Sequence, residues 1–398
     1  MNLVRTALLA LALGGCGVSP TEAPAPSTEL ARSMQAYANE PATRRRALEV
    51  SIVNAKNAYS RLRLARYDEA SWGALPVFEP LTTPMTSANV AARPSVDSTW
   101  TRIEAERSGW EETDLRELGE RAFYNYPMQL APHLAEAASS PDSAGMWNDA
   151  GRFGPVWVSL PMAGVTTALT CATCHASKDA RGFVPGRNNA DLDATRIFAG
   201  SRAPWAWPLG TVDVTDDGLG NPVAIADLRP VRLQKNLHHA ATLVNSPSAL
   251  AVRIETLIIT SLGESVRPPR KVVSALTVYL MSLSLPALPS DRAVESGRAI
   301  FVRACAGCHR DEAMSGPPVA LDVVGTNPSV AESPDRTTGS YRVPSLRGVG
   351  DRRRLFASGE VEDVAELLSP DRRAHGHRYG LELDSADRAA LLRYLRAL

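Results

Sequence analysis

Apolar positions recur in a helical rhythm from Pro41 to Tyr67, where Leu48, Ile52, Ala55, Tyr59 and Leu62 fall at three- and four-residue spacing. That spacing predicts one amphipathic helix. Pro76, Pro80, Pro84 and Pro94 then interrupt residues 71 to 97, predicting an extended, loop-like crossing. A second helical pattern runs from about Asp97 to Tyr126 and stops before Pro127, because the residue ahead of a proline is driven out of the helical region. Two later segments share one pattern: Ala275-Leu276-x-x-Tyr279-Leu280-x-x-Leu283 and the C-terminal Ala390-Leu391-x-x-Tyr394-Leu395-x-x-Leu398. In each, the leucines and the tyrosine lie on one helix face. Each closing helix has an opening counterpart, Gly119-x-x-x-Phe123 in one case and Gly297-x-x-x-Phe301 in the other. The chain therefore reads as an internal repeat.

The two copies differ in one respect. Gly297 precedes Cys305 by eight residues, whereas Gly119 precedes Cys171 by fifty-two. An insertion of about forty residues, roughly Pro127 to Thr167, accounts for the difference and carries Trp147 and Trp157. Long insertions of this kind are often functional or shield a site.

Composition changes the picture little. The chain has 398 residues, enough for two or three domains; 44% are apolar and 22% charged. The formal net charge is zero, which argues against a nucleic-acid partner or a polybasic membrane surface. The N-terminus is different in kind. Arg5, the apolar run Ala7 to Leu13 and the ending Leu13-Gly14-Gly15-Cys16 resemble a bacterial lipoprotein signal, which implies cleavage before Cys16 and acylation of that cysteine. Ser19 to Thr28 reads as a flexible tether. The expectation is a cell-envelope protein, lipid-anchored and facing the periplasm.

Five cysteines are present: Cys16, Cys171, Cys174, Cys305 and Cys308. The last four form Cys171-Ala172-Thr173-Cys174-His175 and Cys305-Ala306-Gly307-Cys308-His309. Two thiols three residues apart reach both vinyl groups of a haem, and the adjoining histidine comes beneath the iron. Zinc would need four protein ligands, and a thioredoxin-like pair would need a βαβ setting. The motifs therefore predict two covalently bound haem c groups, with His175 and His309 as proximal iron ligands. With Cys16 acylated, no cysteine is left for a disulfide.

The far side of each iron decides between a closed carrier and an open catalytic site. In the second copy a downstream methionine ligand is missing, and Arg373-Ala374-His375-Gly376-His377 occupies its place. His377 is the candidate ligand, with His375 as the alternative. In the first copy, His238 and His239 follow His175 by 63 and 64 residues, in parallel with His375 and His377 after His309. One of them either ligates iron or stands over an open site. Met128, His133 and Met162 are weaker candidates. Glu255 and Glu264 are possible acid–base groups, and Trp205 and Trp207 possible aromatic neighbours of the haems.

The second copy, about Gly297 to Leu398, resembles the C-terminal domain of the bacterial di-haem cytochrome c peroxidase and MauG superfamily. The resemblance rests on the CxxCH helix, Tyr341-Arg342-Val343-Pro344-Ser345-Leu346-Arg347-Gly348-Val349, Leu355-Phe356-Ala357-Ser358-Gly359 and the closing helix. In that family a histidine follows the phenylalanine, so Ala357 marks a missing pocket residue. Around Leu209 to Asp213 and Asn236 to His239, the first copy resembles the rubber-oxygenase branch more weakly. The resemblance implies an all-α fold of two packed cytochrome c-like haem domains, with electrons passing between the irons. The expected organisation is a signal at 1–16, a tether at 17–40, a helical extension at 41–118 and haem domains at 119–287 and 288–398. The function expected is electron transfer with a redox partner protein or quinol-linked chain; the alternative is peroxide or dioxygen chemistry at the first haem.

Overall fold

Thr28 opens the first helix, α1 (Glu29–Asn39), by accepting a hydrogen bond from the Ala31 N–H at 3.2 Å. In this computed structural model the described residues are 28–398, apart from 55, 68–69, 97–107, 161–163, 181, 199–205 and 214–218. Cys16, Met162 and Trp205 lie outside them, as does the tether as far as residue 27. Residues 29–39, assigned above to the tether, are helical, with Met34 and Tyr37 buried.

The single helix expected over Pro41 to Tyr67 is two, α2 (Pro41–Ser51) and α3 (Ala58–Arg66). Long-range pairing breaks it: Ile52 bridges Leu243, and the Val53 N–H donates to Thr242 O at 3.2 Å. Asn57 then restarts the helix by capping the Ser60 N–H at 3.0 Å. These N-terminal helices are tied down by a buried carboxylate. Glu255 accepts from the hydroxyls of Tyr37 and Tyr67, each at 2.5 Å, and from Arg270 Nε at 3.3 Å.

The all-α expectation is overturned. Of the described residues 39% are helical and 16% are in strands, so the fold is mixed α/β. Its largest sheet is built from β1 (Leu81–Thr86), then, after α4 (Glu112–Asn125), β2 (Gln129–Leu130), β3 (Arg152–Leu160) and β4 (Gly164–Leu169). The strand order is β1-β3-β4-β2, with every pairing antiparallel. Most of this sheet is the insertion. Phe153 to Val158 is a continuously buried run containing valines and a tryptophan, residue types that suit a pleated surface. Pro84 is tolerated because β1 is an edge strand.

The repeat is real in three dimensions. After α5 (Cys171–His175), helices α6 (Pro247–Ser261) and α7 (Arg270–Ser282) complete the first unit, and α7 crosses α4. A Cβ on Gly119 would collide with the Ala275 carbonyl and lie 2.7 Å from Tyr279 Cβ. In the second unit α8 (Glu295–Ala304) crosses α9 (Ser385–Ala397), where a Cβ on Gly297 would collide with the Ala390 carbonyl and lie 2.8 Å from Tyr394 Cβ. The aromatic pairs match as well: Phe123 and Tyr279 rings lie 5.3 Å apart at 53°, Phe301 and Tyr394 rings 5.4 Å apart at 55°. Each crossing has its own core.

A buried ionic network joins the units. Arg229 binds Asp227 at 2.6 Å and Asp351 at 2.7 Å, while Arg352 reaches Asp227 and Arg187 reaches Asp351, both at 3.2 Å. No described helix is long and apolar enough to cross a membrane.

Candidate functional site

The first CxxCH is a single short helix whose start is fixed by Thr170. Its N–H donates to Thr173 Oγ1 at 3.1 Å in a capping box, and its hydroxyl donates to Gly154 O on β3 at 2.9 Å. Cys171 and Cys174 are thereby set on one helical turn. Burial pushes both thiols up to about 12, so they stay protonated. The His175 Nδ1–H donates to Ala226 O at 2.8 Å, which leaves the Nε2 lone pair for a metal. Burial lowers the basicity of this ring and keeps it neutral. Trp147 donates to Ala172 O at 2.8 Å and meets Phe183 edge-on, with ring centres 4.9 Å apart, and Tyr124 lies beyond. These rings form an aromatic wall beside the motif.

The second CxxCH is a turn that follows α8, closed by His309 N–H donating to Cys305 O at 3.0 Å. The His309 Nδ1–H donates to Met314 O at 3.1 Å, the same device as in the first motif. Met314 therefore meets His309 through its backbone. The Pro344 backbone also lies against this ring. Burial raises the Cys305 thiol to about 11.

His377 is half-buried. Burial first, and then the repulsion of a protonated His309, hold its ring down at about 4. Its N–H donates to Val324 O at 2.6 Å, Arg372 clamps its carbonyl at 2.7 Å, and its ring centre lies 5.9 Å from that of Phe356. Its Nδ1 is buried and has no hydrogen-bond partner among the described residues. His375, two residues away, is exposed.

His238 and His239 occupy a different setting, the tip of a hairpin between Asn236–Leu237 and Leu243–Val244. The His238 ring pairs with Thr242 Oγ1, and the His239 ring with Ala224 O at 2.8 Å. After burial, the strongest influences on both rings are arginines, not a second imidazole. His133 is exposed and Met128 half-buried. Glu255 is engaged by two tyrosines and Arg270, and Glu264 pairs with Arg66 at the surface, so neither stands ready as a proton donor. Trp207 packs against the sheet core.

Paired half-buried thiols, each pair beside an imidazole whose Nδ1 is engaged by a backbone carbonyl, form a donor set that fits covalent haem c. The backbone acceptors Ala226 and Met314 were not legible in the sequence. The Thr170-x-x-Thr173 cap was not read from the sequence either, although the threonine spacing is a signal for it.

Comparison with known proteins gives one family match: residues 294–398 fit the cytochrome c family. No curated protein matches the chain. Among solved structures, it is similar to Kuenenia stuttgartiensis hydrazine synthase, at 16% identity and a TM-score of 0.37, over 77% of this chain and 98% of that one. It is also similar to a MauG-like protein associated with microbial copper homeostasis, at 14% identity and a TM-score of 0.35, over 81% of this chain and 94% of that one. Residues 294–398 thus carry a cytochrome c domain, and with it support for covalently bound haem c.

Proposed function

We propose that this chain is a di-haem c-type cytochrome that passes electrons in the cell envelope. The duplicated helix crossing carries the proposal. The first unit repeats the Gly–Tyr contact and the aromatic pair of the cytochrome c domain, and each crossing accompanies a CxxCH. When bound, haem c supplies an iron that takes up and releases single electrons. Cys171 and Cys174 would hold one porphyrin through thioethers and Cys305 and Cys308 the other, with His175 and His309 offering Nε2 to iron. His377 would hold the second iron together with His309, and two imidazoles favour the oxidised state more than an imidazole and a thioether do. Burial keeps these rings neutral, as metal ligation requires.

A second reading places peroxide or dioxygen chemistry at the first site, with the second supplying electrons. It is favoured by the enlarged first unit, whose sheet and aromatic wall have no counterpart in the second. In that reading His238 or His239 stands off the iron as a pocket residue. Kinship with the di-haem peroxidase and MauG superfamily, a lipid anchor at Cys16 and a protein or quinol-linked electron partner belong to the same proposal.

Haem content measured as the pyridine haemochrome should give two haems per chain; one haem would overturn the di-haem reading. Electron paramagnetic resonance then separates carrier from enzyme. Two low-spin signals with no peroxide turnover support the carrier. A high-spin signal with rapid peroxide-driven oxidation supports chemistry at the first site.

A further inference from the structure

The ionic joint between the units is built onto the backbone anchors of both proximal histidines. In the first unit the carbonyl that accepts the His175 Nδ1–H belongs to Ala226, and the next residue is Asp227. Arg229 holds that aspartate from its own side. Its backbone N–H and its Nε each donate to Asp227 Oδ1 at 3.0 Å, and its Nη2 donates to Oδ2 at 2.6 Å. In the second unit the His309 Nδ1–H donates to Met314 O, a carbonyl that also accepts from the Leu346 N–H at 3.2 Å. The buried Ser345 fixes the same turn, its hydroxyl donating to Ala313 O at 2.6 Å. Residues 345–347 are therefore the segment that holds the His309 anchor in place.

Arg352 connects the two anchors. Its Nε donates to Asp227 Oδ2, its Nη1 to Ser345 O and its Nη2 to Arg347 O, all at 3.2 Å. One planar guanidinium thus spans the carboxylate beside the first anchor and the carbonyls on either side of Leu346 beside the second. Its side chain is 10% exposed and that of Asp227 1%, so water screens the pair little. The partners outside a ligating histidine set the orientation and basicity of its ring. Here a single side chain stands behind two such rings.

We propose that Arg352, paired with Asp227, is a positioning residue shared by both haem sites, holding the backbone anchors of His175 and His309 through one guanidinium. The inference rests on the di-haem reading above and holds for a carrier and an enzyme alike. Its fork geometry fixes the two rings relative to each other. Its charge offsets Asp227, so its removal leaves a less compensated carboxylate that favours the ferric state at both irons.

The test uses the haem-loaded full chain and its Arg352→Gln and Arg352→Lys variants, with Asp351→Asn as a control that weakens the joint at Arg229 and Arg187 instead. Haem content is measured first. The midpoint potential of each haem and its ferric g-values, which follow the orientation of the axial imidazole, are then recorded. Arg352→Gln should shift both sets of g-values and lower both potentials, each by about threefold or more in the one-electron equilibrium constant. Arg352→Lys should return the potentials toward wild type, because the charge is kept, but not the g-values, because an ammonium lacks the planar fork. Asp351→Asn should lower stability and leave both sets of g-values in place. A folded Arg352 variant in which the g-values of one haem or of neither move overturns the proposal, as does an Asp351→Asn protein that reproduces the shifts. If Arg352→Gln does not fold, the g-values of Arg352→Lys decide. Two haems with unmoved g-values overturn this inference alone; a wild type with one haem overturns the di-haem reading and this inference with it.

Discussion

His377 owes its position to its backbone more than to its ring. Its N–H is held by Val324 O and its carbonyl by Arg372, and its φ of 42° is one that few non-glycine residues adopt. Gly376 beside it, at φ 76°, packs so closely on Gly325 that any Cβ would collide with that backbone. The ring is therefore positioned by the backbone itself. His377→Ala should convert one haem from low-spin to high-spin, visible in absorbance and electron paramagnetic resonance; an unchanged spectrum would assign the far ligand elsewhere. Glu255 gives a second prediction at this scale. Tyr37→Phe removes one of its two hydroxyl donors, and hydrogen bonds to charged groups contribute about 1.5–3 kcal/mol. Because Tyr67 and Arg270 remain, the loss on urea unfolding should fall at the lower end of that range. A variant as stable as wild type would remove Glu255 from any role in docking the N-terminal helices.

Among the elements, the paired crossings are where sequence and structure agree most closely. Gly119 and Gly297 let α4 meet α7, and α8 meet α9, at backbone contact. Replacing either with alanine gains about 1 kcal/mol of helix propensity. The added methyl group meets a carbonyl oxygen that is part of a helix and cannot swing away, and overpacking of that kind costs about 1–3 kcal/mol. Each substitution should therefore lower the melting temperature, and a rise in either would mean that the helices separate without penalty. The element that sequence reading misplaced is the sheet. Strands β2, β3 and β4 lie where an insertion into a helical domain was expected, and β1 lies in the stretch expected to be a loop. Gly154 and Pro155 within β3 resemble loop punctuation, and pairing with β1 across about seventy residues leaves no local trace.

For the whole molecule, the question is what holds the two units in register. Asp227 and Asp351, with Arg187, Arg229 and Arg352, form the joint, and the Asp227 side chain is only 1% exposed. Burial alone would raise the pKa of Asp351, but Arg229 and Arg187 outweigh it and hold the carboxyl below its ordinary value. A carboxylate with a depressed folded-state pKa adds stability above its unfolded value of about 3.9 and loses it as pH falls through the lower folded value. The joint should hold at neutral pH and weaken below about pH 4, with Asp351→Asn reducing that part of the acid dependence in pH-resolved unfolding. Asp227→Asn should cost more, about 3–5 kcal/mol, because Arg229 and Arg352 then face a buried neutral group. An Asp227→Asn loss below 1 kcal/mol would show that the network does not set the register.

Cys171 to His175, Cys305 to His309 and the repeated Gly–Phe and Leu–Tyr–Leu patterns were legible because each works within one helix or turn. Spacing along the chain is then spacing in space. Spacing pointed to the loop of His375 and His377, but that His375 is exposed while the backbone angles at Gly376 and His377 hold the second ring half-buried was not legible. The carbonyl partners of His175 and His309, the four-stranded sheet and the ionic joint between Asp227 and Asp351 were not legible at all. Arg187, Arg229 and Arg352, which meet those two aspartates, lie far apart in the sequence, and no periodicity connects them. The sequence by itself determined the two CxxCH motifs and the duplicated helix pair. Only the tertiary structure decided how the two units meet and which charges they enclose, because those contacts depend on distances that the order of residues does not encode.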